Sequence, residues 1–289
     1  MKLATIIFHG QSRVGVVEDG GPVRLLHVDY SNVGDVIRSG IAPASLPVGD
    51  ALDHDKQPVF AAPIPRPGRN IFCVGKNYYE HAHEFARSGF DSGAASGAVP
   101  DAPIIFSKVP ECVIATGAPI LFDPSVSSAI DYEGELAVII GTGGRGITRA
   151  QAMAHVWGYT IVNDVTARDL QSRHKQWLIG KSLDTFCPMG PWAVTADALD
   201  LGDTRIRTWV NDELRQDANT ASLIFDVPTI IAALSAGMTL YPGDVIATGT
   251  PAGVGIGFNP PRYLQNGDRV AVEIAGIGRL ENPVRTTDS

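Results

Sequence analysis

The sequence predicts a β-rich α+β protein, and three features of the chain support that fold class. Among its 289 residues, 31 are Gly and 20 are Pro, and both types are spread along the chain without a repeat. The apolar runs are short and end at turn residues, which is typical of strands joined by tight turns. Hydrophobic residues make up 44% of the chain, enough for an ordinary core. We therefore expect many short strands and few helices.

Residues 1–68 are predicted to form a small N-terminal β domain that ends in a proline-rich connector. The short apolar runs between Leu3 and His27 are broken by His9-Gly10 and by Gly20-Gly21-Pro22. Proline then recurs at positions 63, 65 and 67, which forces extended backbone and removes amide donors. We therefore divide the chain here, and residues 69–289 are predicted to form a catalytic domain.

The strands of that second domain are predicted from apolar runs bounded by Gly, Pro, Asn or Asp. They are residues 70–74, 103–108, 119–122, 131–141, 157–164, 193–196, 205–210, 213–216, 245–248, 270–274 and 278–284. The strands at 205–210 and 213–216 are expected to form a hairpin across Asn211-Asp212.

Three helices are predicted, at residues 78–85, 148–155 and 229–235. Thr148 and Gln151 have the spacing of a capping box. Asp226 is the expected N-cap of the third helix, with Pro228 in its first turn and Gly237 as its stop.

A mobile lid is predicted at about residues 78–102. Residues 86–102 read ARSGFDSGAASGAVPDA and contain too little apolar surface to offset the entropy of ordering them. An ordinary surface loop is the alternative interpretation of this segment.

Charge and hydropathy exclude several functional classes. The chain has 23 basic and 31 acidic residues, a net charge of −8, and no block of five basic residues, so nucleic acid is not an expected partner. Since no run approaches the roughly 20 apolar residues of a spanning helix, we expect no membrane association. The apolar run at the start, MKLATIIFHGQSR, is too short for the core of a signal peptide, so a cytoplasmic location is expected.

The cysteines are predicted to be packing residues. Cys73, Cys112 and Cys187 are odd in number and lack CxxC spacing. This suits a reducing compartment and disfavours a disulfide or zinc framework.

A carboxylate cluster is the most informative feature of the sequence. In Asp131-Tyr132-Glu133-Gly134-Glu135, the two glutamates lie on one face of a strand, where an apolar run enters the core. Two buried carboxylates repel each other unless a cation lies between them. Asp164, at the end of another apolar strand, is the third candidate ligand. Three oxygen ligands without Cys or His favour a hard ion, so the sequence predicts a site for Mg²⁺ or Mn²⁺.

His81 and Glu84 form a second candidate group. They are three residues apart on a predicted helix and therefore share a face, whereas His83 points elsewhere. A carboxylate paired with an imidazole raises its basicity and fixes its tautomer, as water activation requires. An exposed helix pair is the alternative interpretation.

Two further groups are candidates for substrate contact. Lys181 lies between Trp177 and Phe186, where a partly buried ammonium is expected. The Gly-rich stretch at 247–255, with Gly249 and Thr250, offers backbone amides that could hold a carboxylate. Neither GxxxxGK[ST] nor GxGxxG is present, which disfavours nucleotide cofactors.

Six segments in this order resemble the fumarylacetoacetate hydrolase family: CVGKNYYEHAHE, DYEGELAVIIG, NDVTARDLQ, GKSLDTFCPMGPW, VNDELRQ and PGDVIATGTPAGVG. The resemblance covers about residues 69–284. The chain differs in its lid, since residues 86–102 are longer and richer in Gly and Ala than in many relatives. It implies a catalytic domain of the mixed β-roll type, usually a homodimer.

The resemblance also implies roles for single residues. The metal ligands fall on Glu133, Glu135 and Asp164, in agreement with the spacing argument. The lid dyad falls on His81 and Glu84, and the active-site lysine and glutamine on Lys181 and Gln171. Substrate contacts fall on Lys108, Arg168, Thr250 and Gly249.

These roles together imply an activity on a small oxo acid. The main expectation is a metal-dependent hydrolase that cleaves the C–C bond of a 2,4-dioxo acid, such as fumarylpyruvate in aromatic catabolism, with water activated by the dyad. The alternative is decarboxylation of oxaloacetate, or isomerisation or tautomerisation of 2-hydroxy-dienoates, at the same site. A non-catalytic metal-binding or ligand-binding module is a third possible function, but it would not explain the dyad and Lys181.

Overall fold

The computed structural model describes residues 1–18, 20–52, 58–87 and 99–287. Nineteen strands and five short helices are present in these ranges, so the β-rich prediction is confirmed. The strands are β1 (Lys2–Phe8), β2 (Gln11–Val17), β3 (Val23–Leu26), β4 (Val48–Ala51), β5 (Val59–Phe60), β6 (Ile71–Gly75), β7 (Ile104–Lys108), β8 (Val113–Ile114), β9 (Ile120–Phe122), β10 (Ile130–Asp131), β11 (Gly134–Ile140), β12 (Val156–Asn163), β13 (Thr166–Ala167), β14 (Cys187–Thr195), β15 (Arg205–Val210), β16 (Glu213–Asn219), β17 (Val245–Ala247), β18 (Arg269–Ile274) and β19 (Gly278–Thr286). The helices are α1 (Val33–Arg38), α2 (Tyr79–Arg87), α3 (Arg168–His174), α4 (Leu178–Lys181) and α5 (Val227–Ser235).

A large twisted sheet organises the described residues. Its strand order is β4-β3-β2-β1-β14-β12-β11-β17-β6-β7, with β5 added beside β1 and β8 beside β14. All seven residues of β11 are buried, since strands lie on both sides and other elements cover both faces. A second sheet has the order β16-β15-β18-β19-β9, and β10 pairs with β13.

The register of the large sheet brings three strand ends together. β11 runs antiparallel to β12, with Gly134 opposite Asn163, so the start of β11 lies beside the end of β12. β17 is antiparallel to β11 and parallel to β6, so the ends of β17 and β6 lie at the same edge. Residues that follow or precede these strands therefore converge there.

The N-terminal region shares the sheet and the core with the remainder of the chain. β1 pairs with β14 through Leu3 and Ala193. Leu3 and Val36 belong to the same buried cluster as Ile139 and Val162. The division of the chain at residue 68 stays a prediction.

The helix predicted over residues 148–155 is wrong. The hydroxyl of Thr148 donates to the Gln151 side chain at 2.8 Å, and a short 3₁₀ turn follows at Ala152–His155. Because Gln151 is held by this side-chain contact, the capping box does not form. The third predicted helix is confirmed as α5, whose N-cap Asp226 accepts a hydrogen bond from the Thr229 amide at 2.9 Å.

The hairpin across Asn211-Asp212 is confirmed, with Val210 opposite Glu213. All three cysteines are buried and free, as packing residues are. None of the helices in the described ranges has the length and hydrophobicity to cross a membrane.

Candidate active site

The three predicted metal ligands meet at the edge where β11 begins and β12 ends. Glu133 precedes β11, Glu135 is its second residue, and Asp164 follows β12 directly. All three side chains are buried, and one oxygen of each lies within 4.8 Å of the others. This cluster, the acidic triad, matches the sequence prediction.

Three buried cations contact the triad. The Lys181 ammonium donates to Glu133 Oε2 at 2.8 Å and to Asp164 Oδ2 at 2.7 Å. The Lys108 ammonium donates to Asp164 Oδ1 at 2.7 Å, and Arg168 Nη2 lies 2.7 Å from Glu133 Oε1. Glu133 and Asp164 are therefore neutralised by the protein itself.

Glu135 has a different environment. It is 1% exposed, and its Oε2 accepts a hydrogen bond from the Gly249 amide at 2.8 Å. Burial, together with the negative charges of Asp164 and Glu133, raises the pKa of Glu135 well above its ordinary value. For Glu133, burial acts in the same upward direction, but Lys181 and Arg168 outweigh it and lower its pKa to about 2.

The donor set fits a hard divalent cation. Glu133, Asp164 and Asp131 each contact at least one of the buried cations Lys108, Arg168 and Lys181. Glu135 instead receives a hydrogen bond from the neutral Gly249 amide, and the neighbouring carboxylates of the triad repel a negative charge on it. Oxygen-only ligands are those preferred by Mg²⁺ or Mn²⁺, so a divalent ion at the triad would relieve the repulsion.

A second buried ion pair supports Arg168. Asp131 is fully buried and accepts hydrogen bonds from Arg168 Nε at 2.9 Å and from the amides of Gly255 and Ile256 at 2.6 and 3.0 Å. Arg168 Nη1 in turn donates to Gln171 Oε1 at 3.1 Å. Asp131 therefore fixes the guanidinium that contacts both Glu133 and Gln171.

The predicted His–Glu dyad is present on α2. His81 Nδ1 lies 3.1 Å from Glu84 Oε2, and Glu84 Oε1 accepts the Gly253 amide at 3.0 Å. His81 is 4% exposed, whereas His83 is exposed. The two histidines thus have different surroundings, as the helical spacing predicts.

A cavity opens beside Glu133 and Glu135 of the triad and His81 of the dyad. Seven of the predicted site residues line it: His81, Glu133, Glu135, Arg168, Gln171, Lys181 and Thr250. The other four stand behind this lining, because Lys108 and Asp164 are fully buried, Glu84 supports His81, and the Gly249 amide is used by Glu135. Of the predicted lid, only the helical part up to residue 87 and residues 99–102 belong to the described ranges.

Sequence reasoning missed part of the cavity wall. Val74, Gly75, Lys76, Phe106 and Trp177 also line it, and Asp131 acts from behind. Lys76 lies inside the segment CVGKNYYEHAHE, but its inward placement depends on a left-handed backbone, with φ of 53°. The Asp131–Arg168 pair joins segments 37 residues apart. The only signal for it in the sequence was the presence of Asp131 in the motif DYEGEL.

Comparison with known proteins identifies the family. The model of the fumarylacetoacetate hydrolase C-terminal family matches residues 70–285. The chain belongs to the fumarylacetoacetate hydrolase family. A solved member, described as a fumarylacetoacetate hydrolase from psychrophilic Exiguobacterium antarcticum, is 43% identical, with a TM-score of 0.84 over 99% of this chain and 100% of that chain. The predicted fold type is therefore confirmed.

Two further members of the family have names that specify a reaction. Oxaloacetate tautomerase YisK of Bacillus subtilis (strain 168) is 49% identical over 224 residues, which are 77% of this chain and 72% of that protein. A structure described as 5-carboxymethyl-2-hydroxymuconate delta-isomerase from Mycobacterium smegmatis is 33% identical, with a TM-score of 0.80 over 99% of this chain and 100% of that chain.

These names correct the main functional prediction. The expectation of an acylpyruvate hydrolase is wrong, because the tautomerase and isomerase names match the alternative better. The physical reason is that hydrolases and tautomerases of 2-oxo acids both pass through an enolate, so carboxylates that could hold a metal ion and a nearby lysine suit either reaction. The motifs therefore do not indicate whether water attacks the substrate.

Proposed function

We propose that this protein is an oxaloacetate tautomerase, which interconverts the enol and keto forms of oxaloacetate. The observation that carries the proposal is the 49% identity to a tautomerase of that name over 77% of this chain. A cavity lined by an imidazole, two lysines and a guanidinium is consistent with a short anionic substrate.

The acidic triad is proposed to hold the divalent ion, Mg²⁺ or Mn²⁺. When bound there, such an ion supplies positive charge that stabilises an enolate. Lys108 and Lys181 hold Asp164 and Glu133 in position, since each ammonium lies within 2.8 Å of a carboxylate oxygen.

Substrate binding is proposed to use the polar wall of the cavity. Arg168 and Gln171 are joined side by side and present planar hydrogen-bonding groups to a substrate carboxylate. The Thr250 hydroxyl is fixed by a 3.0 Å hydrogen bond to the Gly134 carbonyl and by the Gln216 amide. The substrate is thereby oriented before any proton moves.

Proton transfer is assigned to His81. In the keto-to-enol direction the C3–H bond breaks, its proton moves to the imidazole, and its electron pair forms the C2–C3 double bond as negative charge develops on the C2 oxygen. A proton from water then adds to that oxygen and completes the enol, and the imidazolium returns its own proton to water. Glu84, an acceptor 3.1 Å from Nδ1, places a proton on that nitrogen and leaves the lone pair of Nε2 to act as base.

The test follows the enol form directly. Freshly dissolved enol-oxaloacetate is mixed with the Mg²⁺-saturated protein, and loss of the enol absorbance is compared with the uncatalysed rate. We expect strong acceleration, lowered about 10²–10⁴-fold by His81→Ala. His83→Ala, on the exposed face of the same helix, is the matched control and should retain full activity. A wild-type rate equal to the uncatalysed one would reject the proposal.

A second candidate is isomerisation of a 2-hydroxy-dienoate, favoured by the likeness to the Mycobacterium smegmatis isomerase. It also passes through an enolate, but the proton returns to a different carbon. NMR of the products distinguishes the two reactions, and pyruvate in the oxaloacetate assay would reveal decarboxylation.

A further inference from the structure

We propose that Tyr132 is a positioning residue, which sets the orientation of the His81–Glu84 dyad relative to the acidic triad through the backbone of Gly253. This inference rests on the proposed function and deepens it, because the dyad contains the proposed base and the triad is the proposed site of the metal ion. Tyr132 is fully buried behind the lining of the cavity, so it acts on the reaction only through other residues.

The Tyr132 side chain has a fixed position in the core. Its ring belongs to a buried apolar cluster that also contains Ile130 and Val270. The next residue along the chain is Glu133 of the triad, whose amide donates to the Asn163 side chain at 3.0 Å. The Tyr132 hydroxyl therefore has a defined place relative to the triad.

Three consecutive contacts lead from this hydroxyl to the proposed base. The Tyr132 hydroxyl donates to the Gly253 carbonyl at 2.8 Å, and this direction is fixed because a carbonyl oxygen can only accept. The amide of Gly253 donates to Glu84 Oε1 at 3.0 Å. The other oxygen of Glu84 lies 3.1 Å from His81 Nδ1. Gly253 is thus the link between Tyr132 and the dyad.

Gly253 is suited to this link because it is held through its backbone. Its φ of 101° lies in the region that favours glycine, and a Cβ there would overlap the Arg215 carbonyl. The residue therefore has no side chain, and its carbonyl and amide are used by Tyr132 and Glu84. Because φ and ψ of one residue relate its amide to its carbonyl, the contact that holds the carbonyl also restricts the direction of the amide.

The loop that follows Gly253 has its own anchor. Asp131 accepts hydrogen bonds from the amides of Gly255 and Ile256 at 2.6 and 3.0 Å. These contacts hold the later part of the loop in place when the Tyr132 hydroxyl is removed. The loss should then fall on Gly253 and on the orientation of the dyad, with the triad intact.

The experiment removes only the hydroxyl. For Tyr132→Phe in the Mg²⁺-saturated full-length protein, kcat for enol-oxaloacetate is expected to fall about 10-fold, because the dyad loses part of its orientation. KM should change less than about twofold, since the cavity lining is intact. Mn²⁺ affinity should be unchanged for the same reason. Replacement of Tyr132 by 4-aminophenylalanine, which keeps a donor at the same place, should restore kcat.

A double-mutant cycle tests whether Tyr132 acts through Glu84. In a Glu84→Ala background, the Gly253 amide no longer has a carboxylate to orient, so Tyr132→Phe should cause no further loss of kcat. Losses of kcat that multiply, or a parallel loss of Mn²⁺ affinity, would overturn the proposed route.

Tyr159→Phe is the matched control. Tyr159 is also buried, but its ring packs in another cluster, which contains Ile230 of α5, so removal of its hydroxyl should leave kcat unchanged. Should Tyr132→Phe fail to fold, judged by circular dichroism, 4-fluorophenylalanine at position 132 fills the space of the hydroxyl without donating. It is expected to give the same loss of kcat.

Hydrogen exchange separates this proposal from the proposed function. Loss of the Tyr132 contact should speed exchange of the Gly253 amide, followed by mass spectrometry, whether or not the protein accelerates tautomerisation. Faster exchange in Tyr132→Phe, with a wild type that does not accelerate tautomerisation, would overturn the proposed function alone. Tautomerase activity that Tyr132→Phe leaves unchanged, or unchanged exchange at Gly253, would overturn the role of Tyr132.

Discussion

Glu133 and Glu135 are two positions apart at the start of β11, yet their surroundings differ sharply. Glu133 is neutralised by Lys181 and Arg168, whereas Glu135 contacts the Gly249 amide and repels its acidic neighbours. The same substitution should therefore have different effects on the stability of the metal-free protein at the two positions.

We expect Glu133→Gln to destabilise the metal-free protein by about 1–3 kcal/mol, because Lys181 and Arg168 each lose one of the two carboxylates that they contact. Glu135→Gln should leave stability equal or increased, since it removes a poorly compensated buried charge. Both variants should bind Mn²⁺ more weakly. Urea unfolding in the presence of a chelator, together with Mn²⁺ titration, measures the two effects. Equal destabilisation by both substitutions would contradict this account of the charges.

The residues of the site were predictable to different degrees. The triad follows from the two-residue period of a strand, and His81 and Glu84 follow from helical spacing, since both patterns are local. Lys76 was missed because its orientation depends on a left-handed φ imposed by contacts with distant segments. Asp131 was missed as a partner of Arg168 for the same reason, because its ligands come from residues 168, 255 and 256.

Among the elements, the 3₁₀ turn at Gly255–Gly257 is the support of the dyad. Its first amide donates to Asp131 at 2.6 Å, and a Cβ at Gly257 would overlap the Glu84 carboxylate. The turn therefore couples Glu84 to the buried Asp131–Arg168 pair.

Gly257→Ala is expected to displace Glu84 and lower turnover by about 10²-fold, the scale of an ångström-sized misplacement in an active site. Binding of Mn²⁺ should be preserved, because the acidic triad lies on other elements. Gly237→Ala is the matched control, since a Cβ there meets open space. Steady-state kinetics and Mn²⁺ titration test this expectation, and a simultaneous loss of metal binding would count against it.

The same distinction between local and distant contacts explains which helices were predicted. α5 has its own N-cap, Asp226, and a proline in the first turn. This nine-residue helix could therefore be predicted from its local sequence alone. α1, α3 and α4 have only six, seven and four residues. Helices of this length are unstable alone and depend on packing. α3 and α4 also have no side-chain N-cap, whereas the Asn32 cap of α1 was a local signal that the sequence analysis did not use.

For the molecule as a whole, the N-terminal strands extend the catalytic sheet. Leu3 and Val14 from these strands, with Val36 and Ile37 from α1, belong to one buried cluster that also contains side chains of β14. Each such side chain contributes about 1.5–3 kcal/mol. The total is comparable with the entire stability of an ordinary domain, about 5–15 kcal/mol.

Removal of residues 1–68 is therefore expected to unfold the remaining chain or to make it aggregate, since it bares both the edge of β14 and half of a core. Near-ultraviolet circular dichroism and size-exclusion chromatography of residues 69–289 provide the measurement. A truncated chain with native spectra and full Mn²⁺ affinity would show instead that the boundary at residue 68 separates independent folding units.

The expected homodimer stays a prediction that light scattering on the intact chain tests.

The three thiols sealed inside the protein have a practical consequence. Cys73, Cys112 and Cys187 have no exposed sulfur surface in the folded state, and burial raises the pKa of Cys73 well above that of a free thiol. An alkylating reagent can reach them only when local or global unfolding exposes the sulfur atoms. Their labelling rate, measured by mass spectrometry, therefore reports how often the native protein unfolds. No probe has to be introduced for this measurement.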